Sequence, residues 1–337
     1  MERIRPVVLS SADKAKQTAR ERMKLLCGRY VAFVVMSLLL NCSRAFSTEI
    51  PSEAIANSYV HDGVRIHFRD RGAGNPIVLI HGFGASLDTW RYLEDRLKNE
   101  YRIVSLDLKG HGYSERPLDD RYSLQDHAAA VLGLIDHLKL DNAVLVGNSL
   151  GCVIALMAAL KAQQESSATV PAMVLIAGSL DGDSLPFYLR LLRLPMIGSV
   201  AAKLTPASFG TRLILKRAYY DDEKVTDSLV ELYAKYQRIP GTEHALITTA
   251  RQMIPADSSG LRQALKKLQI PILNIIGKHD QIISRESSEG VCQILPRCKD
   301  VTIDEAGHVP HEEKPEEVIS LLNDFLAEVF GLRSKRL

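Results

Sequence analysis

Between an apolar run and a stretch of small residues, the chain carries Gly147-Asn-Ser-Leu-Gly151. Ala143-Val-Leu-Val146 before it reads as a buried strand, and Cys152-Val-Ile-Ala-Leu-Met-Ala-Ala-Leu160 after it reads as a helix. A tight turn that runs a strand straight into a helix leaves its central serine in a strained backbone conformation, with the hydroxyl lifted off the sheet. Gly147 and Gly151 suit such a turn because side chains there would strike the neighbouring elements. The helix begins at Ser149, so unpaired N–H groups and the positive end of the helix dipole face the hydroxyl. A serine in this position also reads as a plain helix cap. The choice between cap and nucleophile depends on whether a base and an acid occupy matching positions elsewhere.

The flanking pattern says where those positions are. Val64-Arg-Ile-His-Phe-Arg-Asp70 alternates apolar and polar residues, as a half-exposed strand does. Ile77–Ile80, Arg102–Leu106, Ala143–Val146, Met173–Ile176, Ile272–Ile276 and Asp300–Ile303 read as further, more deeply buried strands. Helical patterns lie between them: Asp88–Leu97, with Asp88 as the expected cap, then Ser123–Leu138, Ser149–Lys161, Ser284–Ile294 and Pro315–Phe330. Strands alternating with helices predict an α/β domain over residues 55–332, with a mostly parallel central sheet of about eight strands flanked by helices. The alternation breaks over residues 182–264, where Leu185–Leu194, Leu213–Ala218 and Val225–Tyr236 are candidate helices. An insertion between two strands would lie over the C-terminal edge of the sheet, where ligands bind in open α/β folds. It is read as a helical cap or lid, with a run of ordinary connecting helices as the plainer alternative.

A neutral serine hydroxyl needs a base at pH 7. Of ten histidines, His308 stands out, in Glu305-Ala-Gly-His-Val-Pro310 just past the last strand. Gly307 gives that loop freedom to turn the ring inward, and His311 is the rival. The acid that orients the imidazole is Asp280, in Gly277-Lys-His-Asp280 at another strand end. Asp181 and Asp183 are the next choice, and Asp280 itself could merely serve a turn before the helix near Ser284. His81-Gly-Phe-Gly84 follows the buried strand Ile77–Ile80 and suits an oxyanion loop. The backbone N–H groups of Phe83 and Leu150 are the expected oxyanion donors. His81 is read as bracing that loop rather than reacting.

From about Tyr59 to Phe330 the chain resembles the α/β-hydrolase superfamily. The resemblance rests on the Gly147–Gly151 elbow, on His81-Gly-Phe-Gly84, and on Asp107-Leu-Lys-Gly-His-Gly-Tyr-Ser114, which is similar to a structural D-x-x-G-x-G-x-S segment. It rests also on Gly277–Asp280 and Ala306-Gly-His308, and the order Ser149, Asp280, His308 is the family's. Ser149 disfavours the branches with an aspartate nucleophile, which open epoxides or cleave carbon–halogen bonds. The resemblance implies a serine hydrolase that cleaves a carboxylic ester of a small to medium hydrophobic substrate through an acyl-enzyme. Carbon–carbon cleavage of a diketone-like substrate is the alternative, since the Gly-Asn-Ser-Leu-Gly elbow is similar to those of some such enzymes. A low-turnover ligand-binding receptor on the same fold is the third. No cofactor or metal is implied, because serine and histidine supply nucleophile and base.

The N-terminal region follows other rules. Arg20, Arg22, Lys24 and Arg29 precede the apolar run Tyr30–Leu40, and small residues Ser43, Ala45 and Ser47 follow. Residues 1–47 therefore read as a targeting segment, with Met23 a possible start: a cleaved signal peptide for export, periplasmic or secreted. An uncleaved anchor that associates residues 30–42 with a membrane is the alternative, and a buried helix is a weaker one. Leu39-Leu-Asn-Cys42 matches a lipobox only loosely. In an exported protein Cys292 and Cys298 could pair, while Cys152 falls in an apolar helix and reads as core. With 42 basic and 40 acidic side chains the net charge is +2, which gives no footprint for nucleic acid. Substrate identity and oligomeric state are not written in these patterns.

Overall fold

Alternation of apolar side chains builds the sheet in the computed structural model, which describes residues 50–165, 168–181, 187–194, 205–255 and 257–331. Its eight strands are β1 (Ser58–His61), β2 (Val64–Arg71), β3 (Pro76–Ile80), β4 (Arg102–Leu106), β5 (Val144–Asn148), β6 (Met173–Ile176), β7 (Ile272–Gly277) and β8 (Cys298–Ile303). They lie in the order β1-β2-β4-β3-β5-β6-β7-β8. The pairs β1–β2 and β2–β4 are antiparallel, and the rest are parallel. Successive residues serve opposite faces. Val78, Ile80, Leu145, Met173 and Leu175 enter one core, whereas Ile77, Leu79, Val144, Val146, Val174 and Ile176 enter the other. Both faces are therefore covered, as a parallel sheet requires.

The first core is closed by α3 (Leu124–His137) and α4 (Leu150–Glu165), and the second by α2 (Arg91–Leu97) and α12 (Pro315–Val329). Helix α3 carries a capping box, in which Ser123 and Asp126 satisfy each other's backbone N–H. Short α1 (Ser52–Ala56) precedes the sheet. Between β6 and β7 the chain forms α5 (Phe187–Leu192), α6 (Ala207–Ala218), α7 (Asp227–Gln237), α8 (Thr242–Gln252) and α9 (Ser258–Leu265). Helices α10 (Arg285–Cys292) and α11 (Pro310–Glu313) complete the set used below. These elements belong to one unit, Thr48–Lys203 with Ala207–Leu337. The targeting segment expected over 1–47 lies outside the described residues, as do parts of the 182–264 insertion.

Two local expectations are corrected. Asp88 does not cap α2. Ser86 accepts the Asp88 N–H and starts a 3₁₀ turn over Leu87–Trp90. The Asp88 carboxylate instead meets Arg69, Lys235 and the Tyr236 hydroxyl at 2.8, 3.0 and 2.7 Å. Two cations and a phenol outcompete a helix N–H that water or a serine can satisfy. Strand β1 was not expected either, because Val60 at this sheet edge is 68% exposed and no apolar run marks it. Cys292 and Cys298 form a disulfide, and Cys152 is buried in the core. No helix among the described residues is long and apolar enough to cross a membrane.

Candidate active site

Strand β5 runs into α4 through the expected turn, and Ser149 sits there with φ +54°. Few non-glycine residues adopt that left-handed backbone, which costs on the order of 1–3 kcal/mol unless the surroundings enforce it. Here the Ser149 N–H is tied to the carbonyl of Ile176 at 2.9 Å. The flanking glycines are obligatory: a Cβ at Gly147 would stand 2.4 Å from the Gly151 carbonyl oxygen, and one at Gly151 2.1 Å from that of Ile80. The serine is thus held at the C-terminal end of the central strand, at the mouth of a helix.

The loop after β3 lies directly against it. A Cβ on Gly82 would come within 3.1 Å of both Ser149 Cβ and Asn148 Oδ1. His81 shapes this loop from within: its Nε2 accepts the Leu108 N–H at 3.0 Å, which leaves the proton on Nδ1 to donate to the Gly82 carbonyl at 2.7 Å. Both ring nitrogens are used, so His81 braces the loop. Leu150 is the first residue of α4, and its N–H has no partner within the helix. Phe83, the other expected donor, is two residues beyond His81 in the same loop.

Loops after β7 and β8 bring Asp280 and His308 together. His308 Nδ1 lies 2.7 Å from Asp280 Oδ2, with the two side chains 7% and 2% exposed. The other oxygen, Oδ1, accepts the N–H groups of Ile282 and Ile283 at 2.7 and 3.0 Å. The carboxylate is fixed from both sides. It does not cap α10, because Ser284 does. A Cβ at Gly277 would stand 1.8 Å from the Gly307 carbonyl oxygen, so the two loops pack backbone to backbone. Asn148, next to Ser149, donates through Nδ2 to the carbonyls of His308 (3.2 Å) and Ile176 (3.1 Å). The histidine loop is therefore bonded to the serine turn itself.

His311, the rival base, is engaged elsewhere. His311 is fully buried, stacks on Trp90 with ring centroids 4.5 Å apart, and lies 2.9 Å from Thr89 Oγ1. Burial pushes its pKa down to about 3. Asp181 is exposed after β6, and Asp183 lies outside the described residues. Among the described residues, Cys292, Cys298 and Asp300 form a group with metal-ligand spacing, but both sulfurs are in the disulfide. The Asp107–Ser114 segment is structural: Asp107 accepts from Leu87 and Tyr113 N–H groups and pairs with His67, at 2.7–2.8 Å. Asn148 is the supporting residue that sequence reasoning passed over, although it lies inside the motif.

Burial also sets an acid limit on the fold. Desolvation lowers the pKa of His81, takes His111 well below the ordinary value, and brings His127 down to about 4. These rings and His311 take up protons less readily when folded than when unfolded, where the usual value is near 6.5. The unfolded state then binds more protons, so stability falls as pH drops from about 6.5 toward 4, by up to about 1.4 kcal/mol per pH unit for each fully titrating ring. Glu313 and Asp300, whose carboxyls burial pushes up, act in the opposite direction but are fewer than the rings. Urea titrations at pH 7, 5.5 and 4.5 should show a steadily falling midpoint, and a constant midpoint contradicts the neutral-histidine account.

A buried strand carrying a strained serine, facing loops that carry a histidine–aspartate pair, is the arrangement of one large family of enzymes. The family described as alpha/beta hydrolase fold matches residues 75–315, and the chain belongs to it: the protein is a hydrolase of the α/β-hydrolase fold. It is 29% identical over 283 residues to a 2-hydroxymuconate semialdehyde hydrolase of Pseudomonas sp. (strain CF600), covering 82% of this chain and 95% of that one. Among solved structures, a meta-cleavage product hydrolase from Pseudomonas fluorescens IP01 superimposes with a TM-score of 0.68 at 26% identity, covering 80% of this chain and 97% of that one. An esterase from Exiguobacterium antarcticum shares the fold, with a TM-score of 0.67 at 24% identity over 78% of this chain and 96% of that one.

Proposed function

We propose that the protein hydrolyses carboxylic esters of small to medium hydrophobic substrates through an acyl-enzyme on Ser149. The observation that carries this reading is the His308–Asp280 contact at 2.7 Å, in a loop whose histidine carbonyl is bonded to the residue beside Ser149. Ser149 Oγ attacks the carbonyl carbon while His308 Nε2 takes its proton. Asp280 keeps the other ring proton on Nδ1 and stabilises the imidazolium. The amides of Phe83 and Leu150 hold the oxyanion. His308 then protonates the leaving alcohol. Water, deprotonated by the same ring, attacks the acyl carbon and releases the acid. The scheme needs no cofactor.

Carbon–carbon cleavage is the second reading, favoured by the relatives that hydrolyse a muconate semialdehyde or a meta-cleavage product. A muconate is a carboxylate, and a buried carboxylate needs a cation. Two half-buried arginines are already engaged: Arg91 pairs with Glu312 at 2.6 Å, and Arg116 donates to the carbonyls of Gly112 and Ser114 and to Thr242. Neither of these two is free to meet such a charge. A panel of p-nitrophenyl acetate, butyrate and octanoate, run beside a vinylogous diketone acid, should show turnover on the esters and little on the diketone. The reverse preference overturns the ester reading in favour of the second.

The chain between β6 and β7 is taken as the cap over this site. Its contacts support that role: Gln237 of α7 donates to the Gly84 carbonyl at 2.8 Å in the loop after β3, and Ala218 of α6 accepts the His308 N–H. Export is proposed on two grounds, the basic-flanked apolar run at 30–40 and the Cys292–Cys298 disulfide, a bond that persists in oxidising compartments. A mature N-terminus near Ser47 is the expected finding by terminal sequencing. An intact terminus at Met1 or Met23 favours an anchor.

A further inference from the structure

The His308 loop is held at more points than an acid and a serine require, and one of the extra ones leads to a buried carboxylate. Glu313 is 3% exposed and closes α11, five residues beyond the histidine. Its Oε1 accepts the Gly307 N–H at 2.6 Å. Its Oε2 accepts the Tyr220 N–H at 2.7 Å and lies 3.5 Å from that of Asp221. Glu313 thus spans two segments far apart in sequence: the residue before His308, and the turn that follows α6 in the insertion. Its direct side-chain partners are all backbone N–H groups.

That turn touches the site's two polar loops elsewhere as well. The Ala218 carbonyl accepts the His308 N–H at 2.6 Å. The Tyr220 ring stacks on His279, the neighbour of Asp280, with centroids 4.4 Å apart. A Cβ at Gly307 would stand 2.3 Å from the Ala218 carbonyl oxygen, so no side chain fits between the turn and the loop. With Asn148 holding the His308 carbonyl, the histidine's peptide is gripped from the serine turn on one side and from the insertion on the other.

We propose that Glu313 is a positioning residue: it clasps the turn after α6 to the histidine loop, so that the placement of His308 against Ser149 is set by the insertion and not by the sheet alone. The proposal rests on the reading of Ser149, His308 and Asp280 as the reacting set. Nothing about a substrate is needed for it. A carboxylate suits the task because it has an acceptor for each side and no donor. An amide of the same shape has one acceptor only, and its NH₂ would face a backbone N–H.

Glu313→Gln is the test, made on the full mature chain and compared with wild type and Ser149→Ala. Three quantities are measured well below the melting midpoint: kcat and KM on p-nitrophenyl butyrate, and the rate of covalent labelling by a fluorophosphonate. The expected result is a fall of about ten- to a hundredfold in kcat and in labelling rate, with KM little changed, because misplacement of a reacting group costs rate and not binding. A folded Glu313→Gln protein that labels and turns over at the wild-type rate overturns the proposal, whatever its melting midpoint. If Glu313→Gln does not fold, Glu313→Asp replaces it, since the shorter carboxylate cannot reach both sides, and the same fall is required of it. Wild-type protein that resists the probe, or Ser149→Ala protein that still reacts, would instead show that the reacting set was misread.

Discussion

Ser149→Ala is expected to lower ester turnover by roughly 10⁴- to 10⁶-fold while leaving the fold intact. The size follows from what the hydroxyl does. Without it no acyl-enzyme forms, and the histidine–aspartate pair has no nucleophile to activate. The residual rate is that of water attacking a carbonyl polarised by the remaining amides. Stability should change little or rise slightly, because alanine carries no hydroxyl to desolvate and meets the same backbone demand at φ +54°. The check is steady-state turnover on p-nitrophenyl butyrate alongside far-ultraviolet circular dichroism. Activity within tenfold of wild type in a folded variant rules Ser149 out as the nucleophile.

Asp280→Asn is expected to cost about 10⁴-fold in kcat through a subtler route. Oδ1 of Asp280 accepts two backbone N–H groups, from Ile282 and Ile283, and only an oxygen can do that. In the asparagine variant the amide oxygen must therefore keep this side. The NH₂ group is then forced toward His308 Nδ1, where it donates. The ring responds by moving its proton to Nε2, the nitrogen that should receive the serine proton. Geometry is preserved and the tautomer is wrong. Raising the pH should not restore the rate, since no titration corrects a tautomer held by a neutral amide. Recovery of more than a tenth of wild-type kcat at any pH between 6 and 9 would sink this account.

Much of the fold, and the pairing of Asp280 with His308, could be read in advance because each rests on local physics. The strands at Pro76–Ile80 and Met173–Ile176 lie where continuous apolar runs put them, since burial on both faces favours apolar residues throughout. The serine turn was legible because its two glycines answer to carbonyl oxygens little more than 2 Å from any added Cβ. Asp280 and His308 were found by their positions at strand ends, where a parallel sheet collects its loops. What stayed hidden depends on contacts distant in sequence. Asp88 looked like a cap until Lys235 and Tyr236 arrived from α7. Glu313 looked like an ordinary acid at a helix start, and nothing in Pro310-His-Glu-Glu313 discloses that Gly307 and Tyr220 bond to it. Helices α8 and α9 carry too few regularly spaced apolar residues to declare themselves.

The strand order has a consequence in time. Ser149 stands on β5, but its partners come from loops after β7 and β8, and the clasp at Glu313 lies later still. A chain emerging from its N-terminus can finish the serine turn while more than a hundred residues of the sheet and insertion are unmade. If His308 is the base, as proposed, none can meet the hydroxyl until β8 pairs along β7. The serine turn made alone would then be chemically silent. On that assignment, the first appearance of hydrolysis in a growing chain would time the docking of the His308 loop, well after the serine turn is made.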